Sequence, residues 1–406
     1  MKTRLLTLLF VAVLIVACRG DKPGAVSLEQ AELDRLVLEL MPAVERATRL
    51  EFRETPRAGI RSRDEVRSYL LVKLEEELPA ERLDGLVAAY RLMGLIPDTL
   101  DVGKLFVDLY TEQVAGFYEP DSAMLFAVEG SDMATLRATL SHELVHALQH
   151  QYLPLDSILS DRADADRLAA AQAVLEGQAT VAMVQVLVPD VDILGEDQLW
   201  RQMSDELARP QAGLEVFNNS PLVIRTGLMF PYLQGAGFMR WFLLNRGSEQ
   251  PYGDLMPKST EQILHPARYQ TGDDPVRLRF TEDSAGVIHE DTFGEFETLV
   301  LRSALAGITA VATDLPIGWG GDRLRVYQFD DGPALVWYVV FDQPSYVENF
   351  TNRVIHGLRR LKRPGYRVAI DPVEVGEHPG VRVVIAPEEW DRWADLPAVV
   401  VDSSSS

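Results

Sequence analysis

The spacing of apolar and polar positions changes several times along the chain, and each change marks a part. Residues 5–17 are almost unbroken in apolar side chains, follow Lys2 and Arg4, and are too few for a comfortable membrane span. They have the form of a signal-peptide h-region. From residue 28 to about 114 the pattern is helical: Leu33, Leu36, Val37, Leu40 and Met41 fall at three- and four-residue spacing. Pro42, Pro56, Pro79 and Pro97 are expected to divide this region into several short helices. Alternation then takes over across residues 116–128, with Pro120-Asp121 at its centre, and predicts a β-hairpin. Ser131 and Asp132 offer caps to the next helix, whose apolar stripe includes Leu136, Leu140, Leu144, Val145 and Leu148. Further helices are predicted over 164–187, ended by Pro189, and over 221–246, where Gly235 and Gly237 are expected to permit close packing.

Beyond residue 271 the pattern is mixed. A helix near 293–305 precedes strands at 324–329 and 334–341, with Asp331-Gly332 between them as a hairpin signal. A helix at 346–361 and strands near 368 and 381–385 complete a small unit. The expected fold class is therefore α+β: a mostly helical domain with a small β-hairpin or sheet over 28–270, then a small α+β domain over 271–400. Residues 1–17 read as a signal peptide, 18–27 as a tether and 401–406 as a disordered tail.

Composition narrows the function. The chain has 406 residues and 47% hydrophobic content, enough for a large core. Its 39 basic and 61 acidic residues give a formal charge of −22, which argues against nucleic acid as a partner. Cys18 is the one cysteine, so internal disulfides and cysteine metal ligands are excluded. It follows Leu14-Ile15-Val16-Ala17, which resembles the bacterial lipoprotein box and implies lipid attachment at Cys18. The expected localisation is an exported protein, lipid-anchored to the bacterial cell envelope on its periplasmic or extracellular face, with the membrane engaged through that lipid.

The densest chemistry lies in His142-Glu143-Leu144-Val145-His146. Residues four apart share one face of a helix, so both imidazoles can reach one metal ion. Glu143 stands close enough to take a proton from a water on that metal. The chain has seven histidines in all, which makes a chance match unlikely. A catalytic zinc takes three protein ligands and leaves one position open. The metzincin pattern requires glycine at 149 and histidine at 152, where this chain has Gln149 and Tyr152. His150 is rotated by about 80° from His142 on a straight helix. Glu176 is the stronger candidate, because a carboxylate placed mid-helix among Ala173, Val174, Leu175 and Ala179 is costly unless paired. Asp164 and Asp166 remain alternatives, although their place near a helix start suits caps.

With His142, His146 and Glu176 on Zn2+ and Glu143 as general base, the arrangement resembles a gluzincin metallopeptidase. Several motifs in order extend the likeness: residues 111–120, 142–149, 175–177, 259–266 and 318–323, and Phe230-Pro231-Tyr232. Together they resemble a largely uncharacterised bacterial family of predicted HExxH metallopeptidase lipoproteins. The chain departs from that pattern at His150, where an acidic residue is expected, and at Gln178, where Asp or Glu is usual. The resemblance implies a zincin-like fold for the helical domain and a peptide or protein substrate. Tyr232 and His265 are the candidates for stabilising an oxyanion, since each lies in a downstream motif and carries a donor. Met124–Val128 is a candidate strand for pairing with an extended peptide. The competing class is a non-catalytic lipoprotein that binds zinc or peptides. The Asp322-Arg323 pair reads as a local ion pair, and Trp319 as an aromatic ring packed in a glycine-rich turn.

Overall fold

The computed structural model describes residues 10–13, 28–77, 80–159, 164–207, 213–282, 284–311, 317–361 and 363–402. Cys18, Pro79 and the final serines lie outside these. The chain adopts the expected α+β class, mostly helical with small sheets.

At the centre runs the motif helix, Met133–Tyr152, which carries His142, Glu143 and His146. It starts where Asp132 accepts hydrogen bonds from the backbone N–H groups of Ala134 and Thr135, at 2.9 and 3.0 Å. Residues 138–149 are buried on every side, which is the pattern of a helix enclosed by its neighbours. The ligand helix, Ala165–Leu187, packs beside it and carries Glu176. Asp164 caps that helix by accepting from Arg167 N at 3.0 Å, so its acidic start serves the helix end rather than a metal.

A third helix, Leu222–Arg246, lies against the ligand helix at backbone contact. A Cβ on Gly177 would stand 2.2 Å from the carbonyl carbon of Gly235, and one on Gly235 would stand 2.0 Å from the carbonyl oxygen of Ala173. The close packing expected at Gly235 is present. Gly237 has nothing within 4 Å of a Cβ position, because two residues on it has turned about 200° to another face.

The predicted hairpin forms from Val114–Glu119 and Met124–Val128, with Ala123 at φ 51° in the turn. Met124–Val128 is not an open edge. Arg57–Arg61 pairs parallel to it, Gly59 opposite Phe126, while Val114–Glu119 holds its other side. The expectation that Met124–Val128 accepts an extended peptide therefore fails. The region around residue 57 does not continue the helical pattern; it supplies a strand. On the far side of Val114–Glu119 lies Phe10–Val13, four residues of the apolar N-terminal run, in antiparallel register with Phe10 opposite Tyr118.

Pro42 does not break its helix, which runs from Gln30 to Thr48. The carbonyl deprived of a donor belongs to Leu38, whose side chain is exposed, and water can satisfy it. Among the described residues no helix is long and apolar enough to cross a membrane.

The C-terminal part is a five-stranded antiparallel sheet in the order Val287–Asp291, Trp319–Phe329, Gly332–Phe341, His378–Pro387, Tyr366–Val375. Alternation sends Leu335, Trp337 and Val339 to one face, and Ala334, Val336, Tyr338 and Val340 to the other. The first face joins one hydrophobic core with Val174, Phe230 and Phe238 from the helices. Asp322 and Arg323 do not form the expected local pair. Arg323 binds Glu290 at 2.8 Å. Asp322 accepts from the N–H groups of Phe293 and Gly294, both at 2.8 Å, and from the indoles of Trp319 at 3.0 Å and Trp337 at 2.8 Å. It caps the helix Gly294–Leu305 and pins two buried rings.

Candidate metal centre

The fold brings His142, His146 and Glu176 together, all three buried, with one ligand atom of each within 4.8 Å of the others. The two Nε2 atoms are 3.1 Å apart. Oε2 of Glu176 lies 2.9 Å from His142 Nε2 and 3.3 Å from His146 Nε2. A tetrahedral cation with ligand bonds of about 2.0–2.1 Å spaces its ligand atoms about 3.3 Å apart. The triangle thus fits such an ion with displacements of a few tenths of an ångström. Asp164 and Asp166 take no part. Asp166 accepts from Thr260 through both its backbone N–H and its hydroxyl.

The protonation of His146 is set by its neighbour. Nδ1 is 2.9 Å from Oε1 of Gln149. The amide of Gln149 is held in that orientation because its Nε2 donates to Leu175 O at 3.0 Å and to Gln178 Oε1 at 2.9 Å. An acceptor at Nδ1 places the proton there and leaves the Nε2 lone pair facing Glu176. The network continues from Gln178 Nε2 to Gln250 Oε1 at 2.9 Å, and from Gln250 Nε2 to Thr48 O at 3.0 Å. The Tyr252 hydroxyl also donates to Gln178. Sequence reasoning missed this relay. The one hint was Gln178 itself, an amide where a carboxylate was expected.

Burial and charge divide the three groups. Burial dominates at His142 and lowers its pKa. Burial pushes His146 down too, yet the carboxylates of Glu176 and Glu143 prevail and raise it. Burial opposes ionisation of Glu176, but His146 and His142 together hold it down at about 2. The pocket therefore keeps an anionic carboxylate beside imidazole nitrogens, the donor set that a divalent cation takes up.

Glu143 is fully buried and electrostatically coupled to His146. Of the two oxyanion candidates, Tyr232 is at the site: its ring centroid lies 5.9 Å from that of His142. His265 has a different neighbour. Its Nε2 is 3.0 Å from Oε2 of the buried Glu295, whose other oxygen accepts from Ile317 N at 3.1 Å. His150 stays out of the triad, as its rotation predicts, and meets the Tyr118 hydroxyl at 2.7 Å through Nδ1.

Comparison of the chain with models of known families finds no match, and neither curated protein sequences nor solved structures yield one. The functional reading rests on the site.

Proposed function

We propose that the chain is an exported, lipid-anchored zinc metallopeptidase. The observation that carries the reading is the buried triangle of His142, His146 and Glu176 with Glu143 directly following its first member. Bound zinc would supply Lewis acidity and lower the pKa of a water molecule. Glu143 then acts as general base on the attacking water and returns the proton to the leaving amine. The Tyr232 hydroxyl donates to the developing oxyanion, and Gln149 keeps His146 in the tautomer that presents Nε2. Anchorage through Cys18 rests on the N-terminal pattern, and in the anchored form residues 1–17, with the strand Phe10–Val13, are removed.

A second reading, a non-catalytic zinc- or peptide-binding lipoprotein, is favoured by burial: His142, His146 and Glu176 are 2%, 0% and 6% exposed. A purely structural metal has no use for the buried carboxylate of Glu143, which favours the enzyme. The deciding experiment is cleavage of a diverse peptide library by wild type and by Glu143→Gln. Cleavage by wild type alone supports the mechanism. Equal cleavage by both removes Glu143 as base, and none by either removes the peptidase. Lipid labelling that survives Cys18→Ser would remove the anchor.

A further inference from the structure

A cavity of about 330 Å³, within the size range of small-ligand sites, starts one helical turn from Glu176 and is not lined by His142, His146, Glu176 or Tyr232. The ligand helix bounds it at Asp166 and Gln172, the helix Leu222–Arg246 at Gly227 and Pro231, and the C-terminal sheet at Asp291. Gln172 is one turn, about 6 Å, from Glu176. Pro231 immediately precedes Tyr232, whose ring lies against His142.

Its apolar wall combines leucine and alanine side chains with the rings of Tyr90, Phe106, Tyr110, Phe293 and Phe296. Such rings present electron-rich faces that attract cations. Three carboxyls, Asp166, Asp291 and Glu297, line it beside side chains that both donate and accept. Pro231 has no N–H, so the carbonyl of Gly227 lacks its helical donor, and both residues line the cavity. Among the described residues no lysine or arginine lines it, and His289 sits 4.0 Å from Asp291.

The carboxylates differ in what they already hold. Asp166 accepts from Thr260, and Asp291 accepts from the N–H groups of Ala165 and Thr292 at 2.7 and 2.9 Å. Glu297 has one hydrogen-bond donor among the described residues, the Tyr90 hydroxyl, at 2.6 Å on Oε1. Burial first, then the acids Asp291 and Asp322, raise its pKa to about 8 against the Tyr90 bond. Among the described residues this carboxyl has no lysine or arginine partner, and a ligand can bring a positive charge to it.

We propose that this cavity binds an organic cation, with an ammonium or guanidinium group on Glu297 and an apolar stem along the rings. Two sources share this chemistry: a free amine, or the lysine or arginine side chain of a peptide held at the triad. The second form rests on the peptidase reading.

Calorimetric titration of the full chain with n-hexylamine and with 1-hexanol separates charge from stem. The amine is expected to bind at least about tenfold more tightly, and Glu297→Gln to remove that preference. Equal binding of amine and alcohol by wild type overturns the proposal, and that comparison needs no variant. In the peptide library, lysine or arginine is expected at one fixed position beside the scissile bond, with the enrichment lost in Glu297→Gln. Amine binding together with cleavage that shows no basic preference assigns the cavity to a free amine. Amine binding without any cleavage keeps the cavity and removes the peptidase. Cleavage without basic preference and without amine binding keeps the peptidase and overturns the cavity proposal.

Discussion

Nδ1 of His146 donates to Oε1 of Gln149, three residues along the same helix and 2.9 Å away. The link makes the nitrogen that would face a metal depend on an amide that would not touch it. Leucine at 149 fills the space but cannot accept. Gln149→Leu is therefore expected to weaken metal binding by about 10–100-fold while helical circular dichroism is unchanged. Competition with a chelator of known affinity measures this. Unaltered affinity would show that the tautomer is set elsewhere.

Removal of a ligand acts more strongly. Glu176→Ala in the purified protein is expected to leave less than about one tenth of the metal found in wild type, measured by elemental analysis. Full retention would place the third ligand elsewhere.

His265 is partly exposed and stands 3.0 Å from the fully buried Glu295, so its removal opens space beside that carboxyl. His265→Ala is expected to lower stability by about 0.5–3 kcal/mol while metal content stays at the wild-type level. Loss of metal without loss of stability would return His265 to the metal site.

Stability should also fall as the solution becomes alkaline. Burial first, then Glu295, raises Glu261 to about 9 from its ordinary 4.5. Between those values the folded chain holds a proton that the unfolded chain has released, so raising pH favours unfolding, by at most about 1.4 kcal/mol per pH unit for one group. Its contribution is fully present below about pH 4.5 and lost as pH rises towards 9. Urea unfolding of the metal-free chain at pH 5, 7 and 9 is expected to show this decline. Glu261→Gln should make it shallower; an unchanged slope would assign the proton to other groups.

Two glycines in one helix make a further contrast. Gly235→Ala must move the Ala173 backbone and is expected to cost about 1–3 kcal/mol or more. Gly237→Ala meets open space and is expected to be neutral or to stabilise by up to about 1 kcal/mol. Thermal unfolding separates them, and equal shifts would contradict the packing.

What could be read from the sequence was local. The hairpin, the motif helix with its Asp132 cap, and the helix carrying Glu176 each follow from spacing and capping within a few residues. Pairing of distant segments was not legible. Nothing in Arg57–Arg61 announces a parallel partner at Met124–Val128, and that pairing closes an edge that the hairpin alone left open. The same holds for polar groups. Glu176 stood out because a carboxylate among alanines is costly, whereas Gln149, Gln178 and Gln250 carry no charge and have no characteristic spacing. Asp322 was misread for a related reason: Arg323 is its neighbour in the chain, but its real partners are two indoles and a helix end.

The contact between Gly177 and Gly235 has a consequence for how this site can change. Gly177 adjoins the third ligand, and Gly235 follows Tyr232 by three residues, so the width of the site is fixed by main chain on both sides. Side-chain exchange there cannot widen it without shifting ligand and ring together. The freedom to evolve a new preference lies instead in the neighbouring cavity, where side chains such as Tyr90, Phe106 and Glu297 form the wall. The triad is built to stay as it is, and the cavity wall is open to drift.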